Sequence, residues 1–493
     1  MKKVLSLVIA MVLLLSLCSF AGADDEIVKL TWATGHEGYV PADNAMVLEK
    51  LNEISREAIG VEVDIKYFTE DEMQLSINSG EVYDMYFTAS WYNNFNSNVS
   101  KGLFANIAPY IQEWTPELYA TMPETVWSLA KSSDGGLYAI PVKKDYAPES
   151  IIHYPARVAE ELGFEIPDVI DSWDELTDFL VAWKATMGDN QYPVMLSNVT
   201  YGIDYSFDFI DRDALIGVMP GAEDATKVVC SLEDPKAFER YMTLYKWNSM
   251  GLVNPDAATL GFTAIATDAD HQHLGFDLAW DHYDWSPTTG YYTKMTRYEG
   301  PFLNTDGVTG AMNAFSVTLE EDLPRLKKAL EYQQFVNTNK EYRDTLRYGI
   351  EGYHWNYVTE GPCAGAVLKT GVGDYAPWAF AQGNYELSSI EVTQAQVDGT
   401  DPAPYLDQWE VYFKACETAP VSAIAGFSWD SSNVSAQIAQ INAIKDEYLV
   451  QLNTGTGENP ETLIPRFMQA LNDAGLQDVI NDAQAQLDAY LGK

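Results

Sequence analysis

The sequence predicts an α/β protein with two domains and a helical C-terminal region. In the first hundred residues, segments with β-type alternation are separated by amphipathic helical segments, a pattern typical of a doubly wound lobe. The chain has 493 residues, 47% of them apolar, which is enough for the cores of two domains. From Asn433 onward the chain is predicted to be almost entirely helical. Apolar side chains recur there with helical spacing at Ile438, Ile441, Ile444, Tyr448 and Leu449.

Three strands and two helices are predicted near the N-terminus. The strands are the segments EIVKLTWAT, GVEVDIKYF and YDMYFTAS, which begin at Glu26, Gly60 and Tyr83. The first helix is predicted over residues 43–58. Thr69 and Glu72 form a capping box that begins the second helix, and Gly80 ends it.

The loops after the first and third strands carry candidate binding residues. Ligands of α/β sheets bind beyond the carboxyl ends of the strands. The polar and aromatic residues of these loops are Thr34, His36, Glu37 and Tyr39 in the first, and Ser90, Trp91, Tyr92, Asn93, Asn94 and Asn96 in the second. An exposed Trp-Tyr pair is costly unless something covers it, so a ligand site is a better interpretation than a plain solvated loop.

A second α/β unit is predicted after the segment DGGLYAIPVKKD at residues 134–145. Ser172 and Glu175 form another capping box, whose helix is predicted to extend to about Met187. Between residues 251 and 285 the chain is predicted to return toward the ligand site. A strand, AMNAFSVT from Ala311, then leads into a helix begun by Pro324.

The first 23 residues have the layout of a secretory signal peptide, with two lysines, an apolar run over residues 4–17 and then small residues. The apolar run is too short to span a bilayer comfortably. Two processing routes stay open. Cleavage after Ala23 fits the small residues there, whereas lipidation of Cys18 is disfavoured by Leu17 before it. Either route places the mature protein outside the cytoplasm.

The charge balance excludes several partners. The chain carries 72 acidic and 30 basic residues, a formal net charge of −42. Such a surface repels nucleic acid and anionic membranes. Membrane attachment is therefore expected only through a lipid anchor or through a transporter.

No cofactor or metal site is predicted. After cleavage Cys230, Cys363 and Cys416 remain, and their spacing fits neither a disulfide scaffold nor a zinc motif, although one disulfide stays open. We interpret them as small buried apolar residues. Two groups raise the question of a metal: Asp268, Asp270, His271 and His273, and Asp204, Asp208, Asp211 and Asp213. The first group lacks a distal ligand pair and the second lacks the Gly and Glu of a calcium loop, so solvated surface residues are the better interpretation.

Four segments carry a resemblance to a known family. They are YDMYFTASWYNNFNSNVSKGLFANI at residues 83–107, DGGLYAIP at 134–141, YGIEGYHWNYV at 348–358, and IAGFSWDSSNVSAQIAQI at 424–441, with a distal helix pair ending AQAQLDAYLGK. In this order they resemble extracellular solute-binding proteins of ABC sugar importers, in the branch assigned to aldouronate transport. The resemblance covers most of the chain.

The resemblance implies a two-lobed, periplasmic-binding-protein-like clamp with discontinuous lobes that closes on its ligand. Lobe one would comprise residues 24–142 and 301–347, and lobe two residues 143–300 and 348–493. Hinges are expected near residues 142–147, 299–303 and 348–352, where Pro and Gly interrupt the chain.

Sugar capture requires flat apolar surfaces for the ring and planar polar groups for its hydroxyls. The resemblance implies that ligand contacts come from clusters in both lobes. The predicted ligand-binding residues are His36, Trp91, Tyr92, Asn93, Asn94, Lys143, Trp280, Asp281, His282, Trp285, Trp355 and Trp378. Tyr353, His354 and Asn384 belong to the same third cluster as Trp355 and Trp378. Any one of these Trp residues could equally pack in a core.

The charge of the ligand is a separate question. The aldouronate branch implies an acidic sugar, which would need Lys143 and Lys144, or Arg297 and Arg347, to bind its carboxylate. The strongly negative chain favours the alternative, that these cations only neutralise acidic neighbours. We therefore expect a neutral oligosaccharide.

The predicted function is capture of an oligosaccharide in the cleft between the lobes and its delivery to an ABC permease, without catalysis. The alternative is a secreted glycoside hydrolase, which needs two carboxylates on opposite sides of one scissile bond. No nucleophile elbow, Walker loop or HExxH helix is present in the sequence.

Overall fold

The computed structural model describes residues 27–493 except 37–38, 133, 145, 148, 199–206, 262–270, 278–282 and 379–380. The predicted signal peptide, with Cys18, lies outside the described residues. The strands are β1 (Val28–Gly35), β2 (Val61–Phe68), β3 (Met85–Thr88), β4 (Ala139–Pro141), β5 (Ser150–Pro155), β6 (Asp208–Asp211), β7 (Ile216–Val218), β8 (Val229–Cys230), β9 (Gly275–Asp277), β10 (Thr293–Glu299), β11 (Met312–Phe315), β12 (Trp355–Tyr357), β13 (Val367–Lys369) and β14 (Glu391–Val392).

The described helices alternate with these strands in the first two-thirds of the chain and then predominate. They are α1 (Asn44–Ile59), α2 (Glu70–Asn78), α3 (Phe95–Ser100), α4 (Ile111–Trp114), α5 (Pro116–Ala120), α6 (Glu124–Leu129), α7 (Ala156–Leu162), α8 (Thr177–Lys184), α9 (Pro235–Ser249), α10 (Ser286–Thr289), α11 (Thr305–Thr309), α12 (Leu323–Thr338), α13 (Lys340–Tyr348), α14 (Gln394–Val397), α15 (Gln408–Cys416), α16 (Ser435–Thr454), α17 (Pro460–Asp473) and α18 (Leu476–Leu491).

The first lobe is built on a five-stranded sheet of order β2-β1-β3-β11-β4. β1 lies parallel to β2 and β3, whereas β11 runs antiparallel to β3 and β4. Helix α1 connects β1 to β2, buries Val47 and Leu51, and ends at Gly60, whose φ of 66° is the left-handed conformation that favours glycine. The three predicted strands and the first helix are confirmed to within two residues.

Both predicted capping boxes are confirmed. Thr69 Oγ1 accepts from the Glu72 amide at 3.3 Å, and the Thr69 amide donates to the Glu72 carboxylate at 2.7 Å. Ser172 and Glu175 are bonded in the same reciprocal way, but the helix starts as a 3₁₀ turn and ends at Lys184, short of the predicted residue 187. A capping box fixes a helix start well because both bonds are local.

The second lobe contains an antiparallel sheet of order β10-β5-β9 and a smaller sheet of order β6-β7-β8. Helix α9 packs against α16 and α17, and α18 completes this helical layer. Ile441 is fully buried there, and the rings of Tyr448 and Phe467 stack with their centroids 4.7 Å apart. The predicted helical C-terminal region is therefore confirmed.

The two buried cores show that the lobes are discontinuous, with one difference from the expected division. The first core takes its residues from 30–151, 303–346 and 381–419, and the second from 152–298 and 424–487. Residues 381–419 were expected in lobe two, but Trp409 and Phe413 pack beside Tyr385 and Tyr146 in the first core. The third crossing between the cores therefore falls between Ala419 and Ile424 instead of at residues 348–352.

Two of the crossings lie side by side. The Leu303 amide donates to the Pro420 carbonyl and the Ser422 amide donates to the Leu303 carbonyl, both at 2.9 Å. These bonds form a parallel bridge between Leu303 and Val421. The segments that join the lobes at this point are therefore coupled to each other by backbone hydrogen bonds.

The described cysteines form no disulfide. Cys230, Cys363 and Cys416 are free and buried, as the sequence predicts. Among the described helices, none combines the length and the apolar character needed to cross a bilayer.

Candidate ligand-binding site

The loop after β3 is fixed by its own polar side chains. Asn93 is fully buried, adopts a positive φ of 45°, and donates from Nδ2 to the Phe87 carbonyl at 2.9 Å. Asn94 caps α3 by accepting from the Ser97 amide at 2.9 Å. The two asparagines therefore determine the shape of the loop, and Trp91, two residues before Asn93, is held outside it.

Trp91 and Trp378 form an aromatic surface at the carboxyl ends of β1 and β3. Trp91 is 51% exposed, and its indole donates to the Gly310 carbonyl at 2.7 Å. The ring centroids of Trp91 and Trp378 are 5.9 Å apart, and Phe87 supports both. Gly35, at the end of β1, makes this possible because a Cβ there would lie 2.4 Å from the Trp378 ring. We call Trp91 and Trp378 the lobe-one surface.

A second aromatic pair lies on the β10-β5-β9 sheet. Alternate residues of β5 point to opposite sides, so Ile152 enters the second core while Ile151 enters the first. His153 shares the side of Ile151 and stacks on Trp285 with ring centroids 5.2 Å apart and planes 11° from parallel. Gly275 of β9 leaves room for the imidazole, because a Cβ there would lie 1.8 Å from it. We call His153 and Trp285 the lobe-two stack.

Both rings of the lobe-two stack contain a nitrogen with unused hydrogen-bonding capacity. Trp285 Nε1 and His153 Nδ1 are buried and have no hydrogen-bond partner among the described residues. Burial lowers the pKa of His153 to about 3, with a smaller contribution from His273, so the imidazole is neutral at physiological pH. A buried polar atom without a partner is costly, and a polar ligand group is one way to satisfy it.

Asp306 connects the lobe-one loop to the second lobe. It accepts from Ser90 Oγ at 2.8 Å and from Arg212 Nη2 at 2.8 Å. Burial alone would raise the pKa of Asp306, but the charge of Arg212 and the two hydrogen bonds outweigh it and lower the pKa. Nearby Asp208 bonds Ser422, and burial raises its pKa to about 7.

Several predicted binding residues are engaged by the protein itself. Tyr92 is buried and donates its hydroxyl to the Phe68 carbonyl at 2.9 Å. His36 Nε2 lies 3.4 Å from the Glu72 carboxylate. Like Asn93 and Asn94, these side chains are bonded within the protein, and direct ligand contact by them stays a prediction.

Lys143 and Trp355 are also occupied. Lys143 is buried, forms an ion pair with Glu386, and lies 4.7 Å from the centre of the Phe413 ring. Trp355 is only 2% exposed and donates to the Gly349 carbonyl at 2.8 Å within a small separate core. Ligand contact by either stays a prediction that its surroundings do not favour.

The remaining candidates lie partly outside the described residues. This applies to Trp280, Asp281 and His282, and to Asp204, Asp268 and Asp270 of the possible metal groups. His271 accepts from or donates to the Tyr192 backbone, and His273 contacts the Leu274 carbonyl at 2.8 Å. Within the described ranges no three His, Cys, Asp or Glu side chains are grouped to hold a metal ion.

The sequence did not indicate His153 or Asp306. His153 lies in the apolar segment SIIHYP, where a histidine is ordinarily a core residue, and Asp306 is one of 72 acidic residues. A polar residue at an apolar strand position was the available signal for the first. No such signal was available for Asp306, because its contacts are with Arg212 and Ser90, which lie 94 and 216 positions before it in the sequence.

Comparison with known proteins places this geometry in context. Residues 423–492 match a family described as a domain of unknown function, DUF3502. The chain is 24% identical over 465 residues to a carbohydrate ABC transporter substrate-binding protein of Streptococcus pneumoniae serotype 4, covering 90% of this chain and 88% of that protein.

Solved structures share the fold. The N-glycan transport solute-binding protein NgtS of Streptococcus pneumoniae superposes with a TM-score of 0.78 at 22% identity, over 95% of this chain and all of that one. NgtS in complex with Man5GlcNAc gives 0.74 at 22% identity, over 95% and 99%. The substrate-binding protein FusA of the same species, in complex with kestose, gives 0.58 at 14% identity, over 94% and 99%. The resemblance inferred from the sequence is confirmed: the chain has the two-lobed solute-binding-protein fold and is a homologue of a carbohydrate ABC transporter substrate-binding protein.

Proposed function

We propose that this protein captures a neutral oligosaccharide between its two lobes, outside the cytoplasm, and delivers it to the permease of an ABC importer. The observation that carries the proposal is the lobe-one surface, where Trp91 stays half-exposed beside Trp378 at the carboxyl edge of the sheet. Exposed flat indoles suit the apolar side of a sugar ring. Relatives of this fold are named for carbohydrate transport.

Closure of the lobes would be the signal to the permease. A ligand that contacts both lobes only in the closed form shifts the population toward that form by its difference in affinity. The lobe-one surface and the lobe-two stack offer apolar contact from each side. No covalent step is required.

Ion pairing supports a neutral ligand. The cations that could have bound a uronate are largely paired: Lys143 with Glu386, and Arg297 with Glu149 at 3.6 Å. Burial lowers the pKa of Lys144 to about 7, which weakens it further as a permanent positive charge. A uronate at Lys143 or Arg297 would therefore have to displace an existing carboxylate.

The alternative of a glycoside hydrolase is not favoured by the described carboxylates. Asp208 and Asp306 have pKa values displaced in opposite directions, as an acid and a nucleophile would. Asp208 is buried and bonded to Ser422, whereas Asp306 is partly buried and bonded to Ser90 and Arg212. Neither presents an open carboxyl group to a glycosidic bond.

Calorimetry with Man5GlcNAc, neutral xylo-oligosaccharides and aldouronates tests the proposal, followed by mass analysis of the recovered sugar. We expect a neutral sugar to bind, to return intact and to reduce the radius of gyration in solution scattering. Recovery of shortened sugar would establish the hydrolase instead. Preferential, salt-sensitive binding of aldouronate would contradict the neutral ligand.

A further inference from the structure

A group of hydrogen bonds joins two loops of the first lobe, four residues before Trp378. The Asp43 amide donates to the Asp374 carbonyl at 3.1 Å, and the Asp374 amide donates to the Asp43 carboxylate at 2.7 Å. The Asp374 carboxylate in turn accepts from the Tyr39 hydroxyl and, at 3.0 Å, from the Ala42 amide. We call these contacts the loop tether. It connects the chain after β1 to the chain after β13.

His354 fastens the loop tether to the end of α13. Its Nδ1 accepts from the Ile350 amide at 3.0 Å, so the proton lies on Nε2, which donates to the Asp43 carboxylate at 3.3 Å. The imidazole is buried, and two glycines pack against these groups. A Cβ at Gly349 would lie 2.6 Å from His354 Nδ1, and a Cβ at Gly373 would lie 2.6 Å from the Asp43 carboxylate. The tether therefore leaves no space for an added methyl group at either glycine.

The loop tether restricts where Trp378 can lie. Only four residues lead from Asp374 to Trp378, and they span at most about 14 Å. Between the two, Tyr375 donates its hydroxyl to the Leu346 carbonyl at 2.9 Å. At the end of the segment the Trp378 indole packs over Gly35. The segment that carries the indole is thus anchored at its start, near its middle and at its end.

Trp378 provides one of the two rings of the lobe-one surface. We propose that Asp43, Asp374 and His354 are positioning residues, which hold the Trp378 ring in the orientation that receives a sugar. They act through the backbone of residues 374–378 rather than by contacting the sugar. A ring that is already held in place loses less entropy when a ligand stacks on it. That the ligand is a sugar rests on the proposed function, whereas the positioning of Trp378 rests on these contacts.

The same loops supply matched pairs of variants. Gly371 and Gly373 have φ values of 72° and 78°, so alanine strains the backbone similarly at either position. Only at Gly373 would the new Cβ collide with the tether, because nothing lies within 4 Å of a Cβ at Gly371. Gly349 and Gly352, with φ values of 86° and 82°, form a second pair, in which only the Gly349 Cβ would meet His354.

Fluorine NMR of the full chain labelled with 5-fluorotryptophan reports the surroundings of Trp378 without any sugar. The Trp378 resonance is identified by its absence from Trp378→Phe. We expect Gly373→Ala to shift or broaden this resonance and Gly371→Ala to leave it unchanged, and the second pair should divide in the same way. The resonances of the second-core tryptophans should not move in either variant. An unchanged Trp378 resonance in Gly373→Ala would overturn the proposal.

Affinity for Man5GlcNAc and neutral xylo-oligosaccharides then separates positioning from a general loss of structure. We expect Gly373→Ala to weaken binding at least about fivefold and Gly371→Ala to change it by less than about twofold. In a Trp378→Ala background, Gly373→Ala should have no further effect on affinity, because the ring that the tether positions is then absent. Losses of affinity that add in the double variant would overturn the proposal as well.

A milder variant serves if melting curves show that Gly373→Ala is unfolded. Asp374→Asn keeps the size of the side chain and removes one of the two carboxylate oxygens that accept from Tyr39 and Ala42. It should move the same resonance, and the exposed Asp189→Asn should not. If no sugar binds the unsubstituted chain, the proposed function fails, and the fluorine spectra still decide whether the tether holds Trp378.

Discussion

The lobe-one surface and the lobe-two stack are both pairs of aromatic rings, but they differ in exposure and in hydrogen bonding. Trp91 is half-exposed and its indole nitrogen is bonded to a backbone carbonyl. Trp285 and His153 are stacked face to face, and each has a buried ring nitrogen with no hydrogen-bond partner in the part of the chain that the structure describes. The Trp91 indole is satisfied without a ligand, and its cost is the exposed apolar area. The lobe-two stack is covered by the protein, but its ring nitrogens could still form hydrogen bonds with a ligand. The same substitution is therefore expected to change stability and binding differently in the two lobes.

The largest difference is expected between Trp285→Ala and Trp91→Ala. Loss of Trp285 removes a packed ring and should reduce the free energy of unfolding by about 3 kcal/mol. Loss of Trp91 should change stability by less than about 1 kcal/mol but weaken oligosaccharide binding by about 1–3 kcal/mol. Denaturant unfolding and calorimetry measure the two quantities. If Trp91→Ala is the more destabilising variant, Trp91 is a core residue and the comparison is wrong.

Substitution of the two supporting glycines gives a second contrast. Gly275→Ala forces the buried His153 to move, whereas Gly35→Ala displaces the outer edge of Trp378. We expect Gly275→Ala to lower the melting temperature clearly, and Gly35→Ala to weaken sugar binding about tenfold at nearly unchanged stability. Gly221→Ala is the matched control, because nothing lies within 4 Å of a Cβ there. Equal losses of stability for Gly35 and Gly275 would remove the distinction between the surfaces.

The contact between the lobes predicts a pH effect of known sign. Burial raises the pKa of Asp208 from 3.8 to about 7, so between these values the folded state keeps a proton that the unfolded state releases. Stability from this group is therefore lost as the pH rises from about 4 to 7. Arg212, Asp306, Asn304 and Ser422 are its charged and polar neighbours. Asp208→Asn should flatten that part of the stability profile in pH-dependent melting, and the exposed Asp189→Asn should not.

The smallest effect is expected at Lys143. Because its ammonium group is already paired with Glu386, Lys143→Ala should change neutral oligosaccharide affinity by less than twofold and leave the salt dependence of binding unchanged. Calorimetry at two ionic strengths measures this. A large loss of affinity together with a reduced salt dependence would mean that Lys143 exchanges Glu386 for an anionic ligand.

The sequence predicted the elements that depend on local chemistry. The capping boxes at Thr69 and Ser172 are formed by neighbouring residues. The spacing of apolar residues around Ile441 indicates which side of that helix is buried. The lobe assignment of residues 381–419 could not be predicted in this way. Trp409 and Phe413 pack on partners far away in the chain, and no local pattern specifies which core receives an apolar helix face.

The same distinction applies to the candidate site. Trp91 was identifiable because an exposed Trp-Tyr pair in a polar loop is costly unless something covers it. Trp378 was identifiable because it belongs to a cluster of aromatic and polar residues with Trp355 and Asn384. Their neighbours Tyr92, Asn93 and Asn94 look equivalent in the sequence but serve the loop itself. Which side chain of such a run points outward is decided by backbone conformation, here the positive φ at Asn93.

The hydrogen-bonded bridge between Leu303 and Val421 restricts how the lobes can move. Two separate single-stranded connections could twist independently, and the lobes would then explore many relative orientations. Paired by backbone hydrogen bonds, these two connections resist torsion and bend together as one ribbon. We therefore expect opening and closing to follow rotation about a single axis across that ribbon. Fewer open orientations reduce the entropy lost on closure, and a weak contact with a ligand is then sufficient to hold the lobes together.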